Sequence, residues 1–467
     1  MNLPNASKVK VSRVLHAGYI FSDDQTQILF DPIFENPFSR NCHAFPEIEF
    51  DIEQIKKQKF SAVFISHYHD DHCSFESLNL LDRATPIYMF CVFEQMFDLI
   101  RELGFINVYS LQLDVTLSIG GFQVTPRRAL DEDVDSIFHI QAGDLNILNV
   151  VDSWIDDQTM ELLAQYSPWD LVLWPFQTMR EIEVIAPSRA KPAQNTLPPE
   201  WISQLKILNP KFLVPSSCQF IQESWSWYNN AFFPISYQQF ETEIQGALPY
   251  VTVVRLNPSV SVQLSENRLQ YSEPVPWIKP VGLQNLDYHY KKNIKPPHTS
   301  EISKNFAALS DAQSALVFSY LKSGLIDKYE SMEAPLDSYF EKSRSWKLSI
   351  YDHVGDAISV FYQVKENKMI HLAEEPKTIG WLTEIPISKI YAALKLGESL
   401  TSMYVRINNI IFDQEIEKEI EDVDVIDDPL IRCLFTGVFG AYQKAQLQCI
   451  RSRSQSRDRL KTLLNDN

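Results

Sequence analysis

The hexapeptide His67-Tyr68-His69-Asp70-Asp71-His72, directly after the apolar run SAVFIS, constrains this chain more than any other segment. It matches H-x-H-x-D-H. The chain has ten histidines in 467 residues, and chance would place this pattern in roughly one sequence in a few thousand of such composition. Extended backbone alternates its side chains with period two, so His67 and His69 project to one side and can clasp a single cation. Asp71 and His72 follow as the chain turns and can grip a second ion. Exposed loop histidines are the competing reading, and three imidazoles with carboxylates between them weigh against it.

The segments around this motif read as short apolar strands with a few helices between them. TQILFDPIF, SAVFIS, PIYMF, FQVTP, LNILNVV, DLVLWPF and KFLVP have strand character, while EQMFDLIRELGF and DQTMELLAQY have helical spacing. This order predicts an α/β fold of layered type, with the motif beyond the carboxyl end of a strand, where functional edges of such sheets lie. The length exceeds one ordinary core, so two units are expected. Residues 1–270 would form the catalytic domain and 271–299 a proline-rich linker. Residues 300–467 would form an α+β accessory domain.

The motif and its setting resemble the metallo-β-lactamase-fold superfamily over about the first 250 residues. The openings LHAGYIF (His16) and ILFDP (Asp31) look like its lactonase-like and CMP-sialic-acid-hydroxylase-like branches. DSIFHIQAGDLNILNVVD resembles the strand pair that ends in a bridging aspartate, here Asp152. The resemblance implies an αββα sandwich holding one or two divalent metal ions. His67 and His69 would bind the first, Asp71 and His72 the second, and Asp152 both. His16 and Asp31 would orient these ligands from behind. Two departures stand out. The family's third histidine before the strand pair is replaced by RRALDEDVDS, where a carboxylate, Asp131 or its neighbours Glu132, Asp133 and Asp135, could substitute, and His139 reads as a strand residue. The last histidine is replaced by KFLVPSSCQF, where Cys218 could substitute. Fewer imidazoles and more oxygen donors shift preference from zinc toward iron or manganese. The resemblance implies a hydrolase for a small ester, lactone, amide or phosphoester, working through metal-activated water with Asp71 handling the proton. Alternatives are a di-iron oxidoreductase on the same fold and a fold member that binds a ligand without turnover.

The net charge of −18 opposes nucleic acid as a partner. Residues 413–428 hold nine acids and one lysine, so this run carries −8 of it and reads as a solvated face. No membrane span is expected, the start has no signal-peptide core, and a cytoplasmic location follows. Six cysteines without a CxxC pair suit reduced thiols. The partner expected is a small-molecule substrate, with a homo-oligomer left open. Six tryptophans between Trp154 and Trp227 read as core more than pocket. Arg180, Arg189 and Lys191 sit on a proline-rich loop that could meet an anionic substrate. The basic tail RSRSQSRDRLK reads as a solvated helix end. The C-terminal unit is weakly similar to sterol-carrier-type lipid-binding domains, and a lid or dimerisation role fits the same pattern.

Overall fold

The computed structural model describes residues 8–130, 135–190, 195–333, 338–409, 412, 414–419 and 425–465. Its first half is two sheets packed face to face. The eight-stranded sheet runs in the order Arg268–Ser272, Ser261–Ser265, Val9–Arg13, Tyr19–Ser22, Gln27–Phe30, Ala62–Ile65, Ile87–Met89, Val108–Ser110. The seven-stranded sheet runs Thr252–Val253, Phe212–Ser216, Leu171–Pro175, Leu145–Asn149, Ser136–Ala142, Phe122–Arg128, Leu117–Ile119. The runs AVFI and LVLWP are buried at every position, as parallel strands covered on both faces must be. Between the sheets Phe30 stacks on Phe64 at 5.0 Å and meets Phe138 of the opposite sheet edge-on at 4.9 Å. Outer helices complete the layers. Glu94–Glu102 buries Met96, Phe97, Leu99 and Ile100 beside Val108–Ser110, and Tyr237–Ala247 packs beside Thr252–Val253. The expected αββα sandwich is present.

The segment expected as a linker is instead built into this sandwich. Ile278–Pro280 pairs antiparallel with Ile48–Phe50, and Trp277 is buried. The Tyr288 hydroxyl donates to the carbonyls of Cys218 and Phe220 at 2.8 and 3.0 Å. Large aromatics between the prolines supply the burial that an extended connector lacks.

Beyond it, a five-stranded sheet follows the order Lys368–Leu372, Ala357–Lys365, Arg344–Tyr351, Trp381–Pro386, Arg406–Ile407. The helices Ile387–Leu396 and Pro429–Phe435 lie against this half, and one apolar cluster runs from the outer layer of the sandwich into it. The helix Ala441–Asn465 returns to the sandwich. Gln443 Nε2 donates to the carbonyls of Tyr68 and Cys73 at 2.7 and 2.8 Å, so this helix grips the backbone on both sides of the histidine motif. Arg451 and Arg453 of the basic tail pair with Glu102 and Glu76 of the sandwich at 2.9 and 3.0 Å.

The acidic run is not wholly a solvated face. Asp428 is fully buried, accepting from Trp381 Nε1 at 2.7 Å and from the Thr383 hydroxyl, and it caps Pro429–Phe435 through the amides of Leu430 and Ile431. Much of the rest of the run lies outside the described residues. Asp428→Asn keeps one acceptor and turns an amide donor toward these donors. It is expected to lower unfolding free energy by about 2 kcal/mol, measured by urea denaturation.

Candidate metal centre

The motif sits where Ala62–Ile65 ends. The amides of His72 and Cys73 both donate to the carbonyl of His69, at 3.1 and 2.8 Å, and this curl sets Asp71 and His72 side by side. Asp152 follows Leu145–Asn149 on the other sheet. His16 stands in the turn between Val9–Arg13 and Tyr19–Ser22, and Asp31 ends Gln27–Phe30. His16, Asp31 and Val151 all hold positive φ, at 52°, 41° and 63°. Left-handed backbone at three strand ends stores strain, most for the β-branched Val151. Gly18 is required at its position: a Cβ there would stand 2.7 Å from the Asp31 carbonyl oxygen. The fully buried Arg13 ties the His16 turn across the sandwich, donating to the carbonyls of His16 and Pro215.

One donor atom each from His16, Asp71, His72 and Asp152 lies within 4.8 Å of the others. His16 Nε2 is 3.2 Å from His72 Nε2 and 3.1 Å from Asp71 Oδ2, and His72 Nε2 is 3.0 Å from Asp152 Oδ2. Donors about 2.1 Å from a shared ion stand about 3.0–3.4 Å apart, so these separations suit a common cation. Asp152 Oδ1 is buried without a hydrogen-bond partner. Behind the cluster, His72 Nδ1 donates to Asp31 Oδ2 at 3.0 Å, and Asp31 also accepts from the Ser66 amide and hydroxyl at 2.7 and 2.8 Å. This bond leaves His72 Nε2 turned toward His16 and Asp152. Burial alone would lower the pKa of His72, but the carboxylates of Asp152, Asp71 and Asp31 override it and hold the imidazole well above its ordinary value. Burial likewise opposes ionisation of Asp71, yet His72 and His16 hold it well below the usual range. The quartet therefore demands positive charge, and its donor set fits a divalent ion.

His67 and His69 form an adjoining pair, with ring centroids 4.4 Å apart and that of His67 4.0 Å from His72. His67 Nδ1 is 2.9 Å from the Ser66 hydroxyl and 3.8 Å from Asp135 Oδ1. Burial is the main cause that lowers both imidazoles to about 4, so they are neutral donors at neutral pH. Asp70, pushed up to about 7 by burial and by Asp71, lines the same cavity.

The structure changes several expected roles. His16 joins the donor cluster instead of standing behind it. Cys218 does not join it: the chain turns at Ser217 and Cys218 with φ of 55° and 45°, and burial pushes the thiol up, away from the thiolate a metal takes. Asp131 lies outside the described residues. Asp135, a carboxylate of the same RRALDEDVDS segment, flanks His67. His139 packs against Tyr166 and Trp169 and bonds Asn146 at 3.0 Å. None of the six tryptophans lines the cavity over the cluster. Arg180 pairs with Glu183 at 3.0 Å and Arg189 lies over Phe412, so neither reaches the cavity to meet an anion, and Lys191 is outside the described residues.

Two stacked sheets with outer helices, the H-x-H-x-D-H loop at one strand end and an aspartate at the facing strand end decide the architecture. The first unit has the metallo-β-lactamase fold. The chain matches no family model and no curated protein. Solved structures similar to it include a metallo hydrolase from the archaeon Ignicoccus hospitalis, at 17% identity and TM-score 0.39 over 56% of this chain and 99% of that one. Another is an isothiocyanate hydrolase from Delia radicum gut bacteria, at 14% and 0.41 over 55% and 99%. The diiron β-hydroxylase CmlA from Streptomyces venezuelae gives 16% and 0.38 over 56% of this chain and 55% of its own length. At such identities these likenesses carry nothing about substrate or metal. Among the described residues no helix is long and apolar enough to cross a membrane.

Proposed function

We propose that the chain is a metal-dependent hydrolase of small molecules, with one or two divalent ions held by His16, Asp71, His72 and Asp152 and by the adjoining His67 and His69. The quartet carries this reading, because half-buried carboxylates and buried imidazoles from three separate segments converge there with excess negative charge. A bound divalent ion supplies an acidified water and polarises a scissile carbonyl or phosphoryl oxygen. Asp31 and Ser66 fix the imidazole orientations, and the helix Ala441–Asn465 excludes water from one side while holding the motif loop. Asp71 is committed to His16 and acts as a holder of the ion, and Asp70 is a further carboxylate that lines the cavity beside it.

The reading is tested by elemental analysis of the purified protein, with a panel of esters, lactones, amides and phosphodiesters and with oxygen consumption followed in parallel. Stoichiometric metal with turnover of one class supports it. Metal-free protein, or inertness to every member, contradicts it. Two imidazoles with two carboxylates also suit iron, which favours the di-iron oxidoreductase as the second reading. That reading predicts a visible absorption band and substrate-dependent oxygen uptake.

Metal uptake also has a definite pH dependence. The carboxylates of Asp152, Asp71 and Asp31 favour the protonated form of His72, so a cation must displace its proton, and affinity is expected to rise with pH, by about tenfold per unit over the range in which that proton is displaced. Competition titrations with a chelator measure this slope. A flat profile means that His72 gives up no proton and is not a ligand.

A further inference from the structure

The cavity above the cluster, of about 500 Å³, has two makers. The sandwich supplies the donor floor, and the C-terminal unit supplies the facing wall through Leu400, Leu434, Phe435 and Val438. A volume of this size encloses a small organic molecule. Met179 from the sandwich and Val438 from the C-terminal unit line it with 38% and 41% of their surfaces exposed. Apolar side chains left open to water beside a donor cluster are covered when something apolar binds. The charged lining has one sign. Asp70, Asp71, Asp135, Asp152, Glu181 and Glu398 face the cavity, and among its described lining residues there is no lysine or arginine. Glu398 is neutralised by Lys389 and Arg40, and divalent metal would offset Asp71 and Asp152. No cation among the described residues is paired with Glu181.

We infer that the cavity takes a non-anionic substrate whose apolar arm lies against the C-terminal wall while its reacting group sits over the donor cluster. The inference rests on the hydrolase reading for the reacting group and narrows it: carboxylic esters, lactones and amides fit, and phosphoesters do not, because their charge finds no basic partner on the described walls. It makes the C-terminal unit the part that selects substrate.

The test uses the metal-loaded full chain and two non-hydrolysable ketones, 2-decanone and 9-oxodecanoate. They present the same methyl ketone to the cluster and differ in a terminal carboxylate on the arm. Calorimetry is expected to show 2-decanone binding about tenfold tighter or more, since a carboxylate would be buried without a partner. Equal or tighter binding of 9-oxodecanoate overturns the inference. Val438 is exposed enough to change without unfolding the chain, and Val438→Lys is expected to narrow or reverse the preference. An unchanged ratio in that variant also overturns it. If 2-decanone is preferred and no ester, lactone or amide is turned over, the cavity inference stands and the hydrolase reading falls.

Discussion

His72→Ala is expected to lower divalent-metal affinity by about two orders of magnitude and to abolish turnover. A four-ligand protein site is worth about 12 kcal/mol, so one ligand is worth about 3 kcal/mol, or a little over a hundredfold. His72 stands nearest the middle of the quartet, 3.2 Å from His16 Nε2 and 3.0 Å from Asp152 Oδ2, and is the only one of the four that Asp31 orients through a direct bond. Its removal also leaves Asp31, which is fully buried, without its imidazole partner. The control is His371→Ala, an exposed edge-strand residue, which should keep wild-type metal content and activity. Metal titration of both variants with a competing chelator checks the prediction.

Glu398→Ala is expected to cost about 4 kcal/mol of stability and to loosen the cavity wall. Glu398 is 2% exposed. It accepts from Lys389 Nζ, from Arg40 Nε at 3.0 Å and from Asn41 Nδ2 at 3.4 Å. Arg40 belongs to the sandwich and Lys389 to the C-terminal unit, so this carboxylate joins them beside the cavity. Its loss strands the Lys389 ammonium in a buried setting, where the faces of Phe306 at 4.6 Å and Tyr404 at 5.6 Å remain near it. Burying an unpaired charge is what makes the single substitution expensive. The double variant Glu398→Leu with Lys389→Met removes both charges and should recover most of the loss, and a double-mutant cycle in urea separates the two terms. A single variant as stable as the wild type would show that the pair does not join the two halves.

The sandwich was legible because its strands are short, apolar and bounded by turn residues, and because a donor-rich hexapeptide after SAVFIS has few structural uses. The place of Asp152 at a strand end was legible through the strand pair that precedes it. The role of His16 was not. A single histidine in a turn carries no spacing signal, and its place among the donors depends on Arg13 bridging to the end of Phe212–Ser216, a contact 202 residues apart in sequence. Cys218 read as a substitute ligand because it stands where the resemblance expects a histidine. Burial suppresses its thiolate, and two left-handed residues turn the chain there. The stretch from Tyr271 to Ser300 read as a connector because of its prolines, whereas Trp277 and Tyr288 decide its place by burial. The acidic run showed the limit of counting charges, since Asp428 serves as a buried cap whose partners Trp381 and Thr383 lie far back in the chain. The covering of the site by the C-terminal unit depends on contacts such as Gln443 to Tyr68, 375 residues apart, which no local pattern reports.

The most direct test of the metal centre is the metal stoichiometry of His16→Ala beside the wild type after identical metal loading and desalting. The quartet predicts at least one equivalent of divalent metal per chain in the wild type, and the loss of about one equivalent in the variant with its circular dichroism spectrum unchanged. Equal metal content and equal affinity in the two proteins would contradict the assignment of His16 as a ligand, and with it the four-donor centre on which the hydrolase reading stands.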